Sequence, residues 1–505
     1  MKTEIKENME NSEERQRALN DYESRLEHAR KLEELGVDIY PAEPFKVTHL
    51  SKDLIENYDA LEGSKVAIAG RMVNKRHHGK IIFGQVEDKK GEIQIVANSR
   101  LIPEQFPVIK DLYDAGDFVG VLGELRKTQR GEISVWANEM TMLAKTLRET
   151  PWKITDVEVM QRQRYLQTLS DPEARQRFRT RSGIVQSMRE YFINNLGALE
   201  VETPVLDTTY GGAQARPFET QHNALDTKMF MRISNELYLK RMTLSYLEGV
   251  FEFSRDFRNE GMDRTHNPEF TQVELYMPFW DYNNMMDMTE DLMSGIAQKI
   301  HGTTKVPYTI PLPDGGEQEI EIDYKTPWKR LSVYDGIRER LNIDPETISD
   351  ERLRSIGHQY GIDTNNRGDM LLKLFEELWE NDLIQPTFVK DYPTDTSALT
   401  KKHRTSPGLT ERFEIFAAGM EVGNSYTELN DPRDQRKRFE TEMLKKSQGD
   451  KETMPFDEDF ILAQEYGMPQ QAGIGISIDR WTMLLTNTNH IRHVLYFPPV
   501  RPKQG

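Results

Sequence analysis

The sequence predicts an α+β protein of several domains: a small β-barrel of the OB type, followed by a large mixed α/β region. Three observations predict it. Between Lys65 and Leu147 lie five short alternating segments separated by Gly and charged turns, the pattern of a small barrel. Beyond Arg179, long amphipathic helical runs alternate with strand-like runs to the end of the chain. Within that region Phe253–Met277, FSRDFRNEGMDRTHNPEFTQVELYM, reads as two strands joined by a polar loop rich in Arg, Asn, Gly and Pro. A length of 505 residues suggests about three domains, one of which can be large.

Composition narrows the classes. With 37% hydrophobic and 30% charged residues, the chain can bury a core and stay very soluble. It contains no cysteine, so disulfides, thiolate nucleophiles and Cys-ligated zinc are excluded. The opening MKTEIKENMENSEERQRALND has no apolar core of a secretory signal, and no apolar run approaches the roughly 20 residues of a membrane span. A cytoplasmic location is expected. The net charge of −17 argues against a protein that coats nucleic acid non-specifically, although local patches matter more than the sum.

Residues 1–64 form a helical extension. Glu13–Leu35 carries Leu19, Tyr22, Leu26, Leu32 and Leu35 at amphipathic spacing. Tyr40-Pro41 through Phe45 reads as an extended connector. Residues 65–148 form the barrel, with strands VAIAGRMV, IIFGQVED, EIQIVAN, FVGVLGELRKT and EISVWANEMTML. Such barrels bind single strands through exposed aromatics and a basic rim, for which Arg76, Phe83 and Gln94 are candidates. On these residues alone Phe83 reads rather as a core residue of a structural barrel. The stretch Arg71–Lys80 holds several cations and no acid; it reads as a basic patch or as a solvated hairpin turn.

Residues 149–170 form a linker carrying Pro151-Trp152 and then a helix. In 171–505, Arg179–Leu196 reads as a long helix, followed by the strand ALEVETPVL ending near Pro204. Asp281–Ile300 is helical, with Met285, Met288, Leu292 and Ile296 on one face, a stripe suited to core packing. Residues 326–382 read as a helical insertion without chemistry of its own.

Three constellations carry chemistry. On the strand Glu269–Tyr276, period two places Phe270, Gln272, Glu274 and Tyr276 on one face. An acid between two aromatics on one face suits a pocket wall. Arg258, at the end of the preceding strand, faces the same space if the strands pair; its alternative partner is Glu260. Next, RFEIFAAGMEVGNSYTEL (Arg412–Leu429) reads as a hairpin turning at Ala417-Ala418, with Glu414 opposite Glu421. Two opposed carboxylates repel unless one is protonated or a cation lies between them. Hard oxygen donors without His or Cys point to Mg²⁺ shared with phosphates. A bulge at Gly423 would turn Asn424, Tyr426 and Glu428 onto the face of Glu421. Third, AGIGISIDRW (Ala472–Trp481) alternates Gly along a strand, allowing close approach, and projects Arg480 at a strand-to-helix junction; a strand VLYFPP follows later.

In this order the segments resemble the class II aminoacyl-tRNA synthetases of the Asp/Asn/Lys subgroup. Motif 1 looks like the long helix and the strand ending at Pro204, motif 2 like Phe253–Tyr276, and motif 3 like Gly473–Arg480. The phrases GGAQARPF (Gly211–Phe218), NELYLKR (Asn235–Arg241), FRNEGMDRTHNPEFT (Phe257–Thr271) and VGNSYTELNDPRDQ (Val422–Gln435) resemble the bacterial lysine-specific branch. The resemblance implies a catalytic domain built on an antiparallel sheet flanked by helices, and an N-terminal OB-fold that binds the anticodon. It implies lysine–tRNA ligase activity: L-lysine and ATP give lysyl-adenylate and pyrophosphate, and the lysyl group passes to the 3′ end of tRNA(Lys).

By resemblance, Arg258 and Arg480 are catalytic, and ATP is held by Arg258, Glu260, His266, Phe270, Glu414 and Arg480, with Phe270 stacked on adenine. Glu414 and Glu421 hold Mg²⁺. Lysine contacts Gly212, Glu236, Arg258, Glu274, Tyr276, Asn424, Tyr426 and Glu428. The anticodon contacts Arg76, Phe83, Gln94 and Glu132. A homodimer is implied, with no membrane or DNA partner. Acids in the pocket suit an ammonium substrate and would repel aspartate. Two positions depart from the family pattern. Ser477 stands where a third glycine is common and is expected to crowd the adenosine wall. Ser234-Asn235 stands where Ala-Pro is frequent.

Overall fold

In the computed structural model, which describes residues 2–151, 154–312, 315–447 and 455–502, the segments between Lys65 and Leu147 close into a barrel. Trp152 lies outside the described residues. The chain divides into two units, Met1–Thr155 with Tyr165–Ser170, and Asp156–Arg164 with Asp171–Gly505.

In the first unit the barrel strands are β1 (Lys65–His78), β2 (Ile81–Glu87), β3 (Glu92–Asn98), β4 (Phe118–Lys127) and β5 (Ile133–Ala144). Their order is β1-β2-β3-β5-β4, with β1 pairing β4 to close the barrel and only β3–β5 parallel. Period two sorts the side chains: Ile82 and Val86 point inward with Ile68, Val121 and Val135, while Phe83 and Gln85 stay partly exposed. Phe83 is therefore an outward residue, and the core alternative for it fails. The helix Lys2–Glu34 begins earlier than its apolar spacing suggests, and its Ala29 and Leu32 join the barrel core. A helix between β3 and β4, Gln105–Leu112, buries Phe106 and Ile109 against the same core.

The second unit is built on an eight-stranded sheet. Its strands are β6 (Leu199–Glu200), β7 (Val250–Phe257), β8 (Glu269–Pro278), β9 (Lys329–Ser332), β10 (Thr387–Pro393), β11 (Leu409–Ala417), β12 (Met420–Thr427) and β13 (Gln471–Ser477). The order is β9-β10-β11-β12-β13-β8-β7-β6, antiparallel except for the outermost pair at each edge. Helices Pro172–Asn194, Tyr282–His301 and Ile478–Leu485 cover one face. The methionine stripe, with Met285, Met288, Leu292 and Ile296 buried, packs there on Phe251, Val273, Leu275, Phe413 and Ile474. An Asp281 capping box starts that helix and a left-handed Gly302 ends it. The alternate residues of the same strands face the other way, which is where the cavity lies.

Three expectations are corrected. The strand before Pro204 is only two residues long, ending in the parallel pairing of Leu199 and Glu200 with β7. The insertion is not wholly helical. It opens with β9, which adds to the sheet edge, and its helices Val333–Leu341, Asp350–Gln359 and Arg367–Trp379 form a separate core around Ile337, Leu371, Phe375 and Trp379. VLYFPP is not a strand. A 3₁₀ turn at Ile491–His493 precedes it, the Val494 amide donates to Ile491, and Pro498-Pro499 has no amide proton to offer a ladder.

Candidate active site

The solvent face of β8, β11, β12 and β13 forms the floor of a cavity of about 440 Å³. Its lining includes Gly212, Glu236, Arg258, Glu260, His266, Phe270, Glu274, Tyr276, Glu414, Glu421, Asn424, Tyr426, Glu428 and Arg480. Residues spread over more than 260 positions of sequence thus share one space because four adjacent strands present alternate side chains to it and loops and a helix close over them.

The β7–β8 pairing runs from Val250↔Tyr276 to Phe257↔Glu269, leaving Arg258–Pro268 as the connecting loop. Arg258 forms no ion pair with Glu260; its guanidinium lies 5.0 Å from the centroid of Phe270 and its Nε donates over 3.4 Å to the Ile233 carbonyl. Arg480 is held from four sides. It donates to the Glu421 carbonyl (2.8 Å) and to Glu421 Oε2 (3.2 Å), and approaches Thr265 O and His266 Nε2. An arginine can only donate, so His266 Nε2 accepts, and its Nδ1 proton points at Asp263, 2.8 Å away. Asp479 is buried and anchors this helix start: it accepts from Thr271 N at 2.8 Å and pairs with Arg181 at 2.6 Å. Ser477 does not simply add bulk to the wall. Its hydroxyl caps the helix by accepting from the Arg480 amide.

The hairpin register differs from the expected one. The turn is Ala418-Gly419, both at positive φ, and Ala417 pairs with Met420. A two-residue hairpin loop favours this twist, and only Gly419 adopts it without cost. The Ala418 and Gly419 amides donate to Ile384 and Leu383, which holds the turn in place. Glu414 therefore pairs with Asn424, and Glu421 pairs with Phe416. The extra residue is Val422, one position before the expected bulge. The bulge still brings Glu421, Asn424, Tyr426 and Glu428 to the cavity. Burial, opposed by Arg412 and reinforced by Glu421, pushes the Glu414 carboxyl up to about 7. Arg412, which sequence reasoning passed over, donates to Glu414 Oε1 at 2.6 Å and to Asn424 Oδ1 at 3.2 Å. Its position two before Glu414 on one strand face was the available signal. Among the described residues, no group of three or more His, Asp or Glu side chains could hold a metal ion unaided.

At the other end of the cavity the acids gather. Glu274 accepts from Tyr276 Oη (2.8 Å), Gln272 Nε2 (2.6 Å) and Ser234 Oγ (3.1 Å). Burial, then Asp256 and Glu236, nevertheless push its carboxyl up to about 8. Glu236 and Glu428 are buried, and so is Lys240, one helical turn beyond Glu236. Lys240 Nζ pairs with Glu236 Oε1 at 2.5 Å and with Glu428 Oε2. Sequence reasoning missed Lys240, although its i,i+4 spacing from Glu236 was legible. Gly473 is required here. A Cβ would stand 2.3 Å from Tyr276 Cε1 and 2.4 Å from Glu428 Oε1. The close approach inferred from alternating glycines is thus made by the pocket's own side chains. Ser234-Asn235 is also used: Ser234 Oγ accepts from the Glu236 amide, and Asn235 donates to buried Glu252.

On the barrel, Arg76 is exposed and stands opposite outward-facing Phe83, and Gln94 accepts from Ser134 Oγ at 2.8 Å. Glu132 is exposed at the start of β5. The half-buried Trp136, aligned with Val96 beside Phe83, adds an aromatic that sequence reasoning omitted.

The arrangement suits a molecule with ammonium groups at one end and an anionic, phosphorylated group at the other. Comparison with known proteins agrees. A family model described as tRNA synthetases class II (D, K and N) matches residues 156–501, and one described as OB-fold nucleic acid binding domain matches residues 66–143. A lysine–tRNA ligase of Thermoanaerobacter pseudethanolicus is 42% identical over 486 residues, covering 95% of each chain. One of Carboxydothermus hydrogenoformans is 42% identical over 486 residues, covering 95% of this chain and 97% of its own. A third, of Porphyromonas gingivalis, is 43% identical over 496 residues, covering 94% and 84%.

Proposed function

This chain belongs to the class II tRNA synthetases of the D, K and N group, and we propose from that premise that it is a lysine–tRNA ligase. The observation that carries the choice of lysine is the buried acid cluster Glu236, Glu274 and Glu428, in which Lys240 pairs with Glu236 and Glu428. Its surplus of acid calls for a ligand with ammonium groups, and an aspartate or asparagine side chain has none to give. Lysine binds with its amino groups toward Glu236, Glu428 and Glu274, near Gly212, Tyr276 and Tyr426. Its carboxylate lies toward Arg258 and Asn424. ATP occupies the arginine end, with the base against Phe270 and the phosphates near Arg258, His266, Glu260 and Arg480.

A lysine carboxylate oxygen attacks the α-phosphorus in line. The bond to the β-phosphate oxygen breaks and pyrophosphate leaves. The terminal hydroxyl of tRNA(Lys) then takes the lysyl group and AMP departs. No protein nucleophile takes part, so the chain contributes position and charge. Glu414 and Glu421 would hold Mg²⁺. The fit rests on oxygen donors alone and on a Glu414 carboxyl pushed up to about 7 by burial, whose ionised form an added cation would favour. Bound there, the ion supplies neutralisation of the phosphate charge.

The barrel, residues 65–148, would read the anticodon through Phe83, Arg76, Gln94 and Glu132, and the chain would act as a cytoplasmic homodimer. Among the described residues no helix is long and apolar enough to cross a membrane. Amino-acid-dependent ATP–pyrophosphate exchange across all twenty amino acids tests the function; activity with aspartate or asparagine and none with lysine overturns it. Phe83→Ala is expected to lower tRNA(Lys) charging about tenfold or more through the lost base stack and to leave lysine-dependent exchange unchanged. A parallel loss of both steps would remove Phe83 from the tRNA side.

The pH dependence follows from Glu274. An incoming ammonium favours its ionised form, so binding releases a proton and affinity rises with pH until the group is ionised in the free protein, at about 8. The lysine KM is expected to fall about tenfold from pH 7 to pH 9, with a shallower change in Glu274→Gln. A KM that climbs over this range contradicts the assignment.

A further inference from the structure

Lys240 shares its charge between the two glutamates best placed for the substrate, and its geometry divides their oxygens. Glu236 gives Oε1 to Lys240 and to the Tyr426 hydroxyl, which donates at 2.6 Å. Glu428 forms an ion pair with Lys240 through Oε2, while its buried Oε1 has neither an ion pair nor a hydrogen bond among the described residues. One oxygen of each glutamate is engaged by the same cation, and the second oxygen of Glu428 is buried without a hydrogen bond.

Resting on the lysine–tRNA ligase reading above, we propose that Lys240 is a positioning and specificity-determining residue: by engaging one oxygen of Glu236 and one of Glu428, it presents the remaining two to the two ammonium groups of the substrate. The charge count supports this. Without Lys240 three buried carboxyls share the pocket, a state relieved by protonating one or more of them and so removing acceptors. Burial alone would push the Lys240 ammonium down, but Glu236 and Glu428 outweigh it and hold the group above its ordinary value. Its rigidity is also built in. The side chain is fully buried, with Nζ 5.2 Å from the Tyr426 ring centroid and 6.0 Å from that of Phe460.

Chemical rescue tests the proposal. Exchange kinetics are measured for the wild type, for Lys240→Met, which keeps length without charge, and for Lys240→Ala with and without ethylammonium. Both variants are expected to raise the lysine KM about tenfold to a hundredfold, with the ATP KM within twofold. Ethylammonium should restore much of the lysine KM of Lys240→Ala, and n-propanol, of similar size but uncharged, should not. A wild-type lysine KM in Lys240→Met overturns the proposal. So does a parallel rise in both KM values, equal rescue by n-propanol, or variants that fail to fold even with ethylammonium, which would make Lys240 a folding residue only. A wild type without lysine-dependent exchange overturns the ligase reading itself, and the proposal with it.

Discussion

Glu428→Gln is expected to lower kcat/KM for lysine roughly 10²- to 10³-fold, the larger part of it in KM, with the ATP KM nearly unchanged. The amide keeps the shape of the carboxyl but removes the charge that balances Lys240 and attracts the substrate. Glu428 is fully buried, so solvent does not screen the loss. Its carboxyl is raised above its ordinary value by burial, pulled back by Lys240, and raised again by Glu236 and Glu274. Such a group gains most when a second cation arrives. Steady-state exchange at varied lysine measures the effect, and a loss under threefold would remove Glu428 from the substrate site. Glu236→Gln is expected to act in the same direction.

Arg258→Ala is expected to reduce kcat for exchange by about 10²–10³-fold. Arg258 is the cavity cation least committed to the protein: a 3.4 Å bond to Ile233 O and the Phe270 ring are its neighbours, whereas Arg480 is tied to Glu421 and to the His266 loop. A guanidinium free to turn can follow charge that develops on the α-phosphate. Its planar fork is part of the requirement, so Arg258→Lys should recover only a fraction of the rate. Pre-steady-state adenylate formation checks this. A near-normal burst in Arg258→Ala would place the positive charge for this step elsewhere.

The strands of the cavity floor were legible because their faces alternate. Phe270, Gln272, Glu274 and Tyr276 declare one polar face, and Phe251, Val273 and Leu275 declare the buried one. The β11–β12 hairpin was legible in outline only. The turn falls one residue later than expected, and Gly419 was the local signal for it, since a two-residue loop at positive φ favours glycine. The strand β9 was hidden because its edge pairing partner, β10, lies more than fifty residues away.

By itself the sequence determined the kinds of group available: the arginines, carboxylates and aromatics that line the cavity, and an N-terminal barrel. Local periodicity and charge carry that information, since each depends on residues a few positions apart. Only the tertiary structure decided which groups neutralise one another. That Lys240 consumes one oxygen each of Glu236 and Glu428, that Arg412 donates to Glu414, and that Gly473 makes room for Tyr276 and Glu428 all depend on distances across strands and helices remote in sequence. Net charge in a buried pocket is set by such pairings, and composition alone does not contain them.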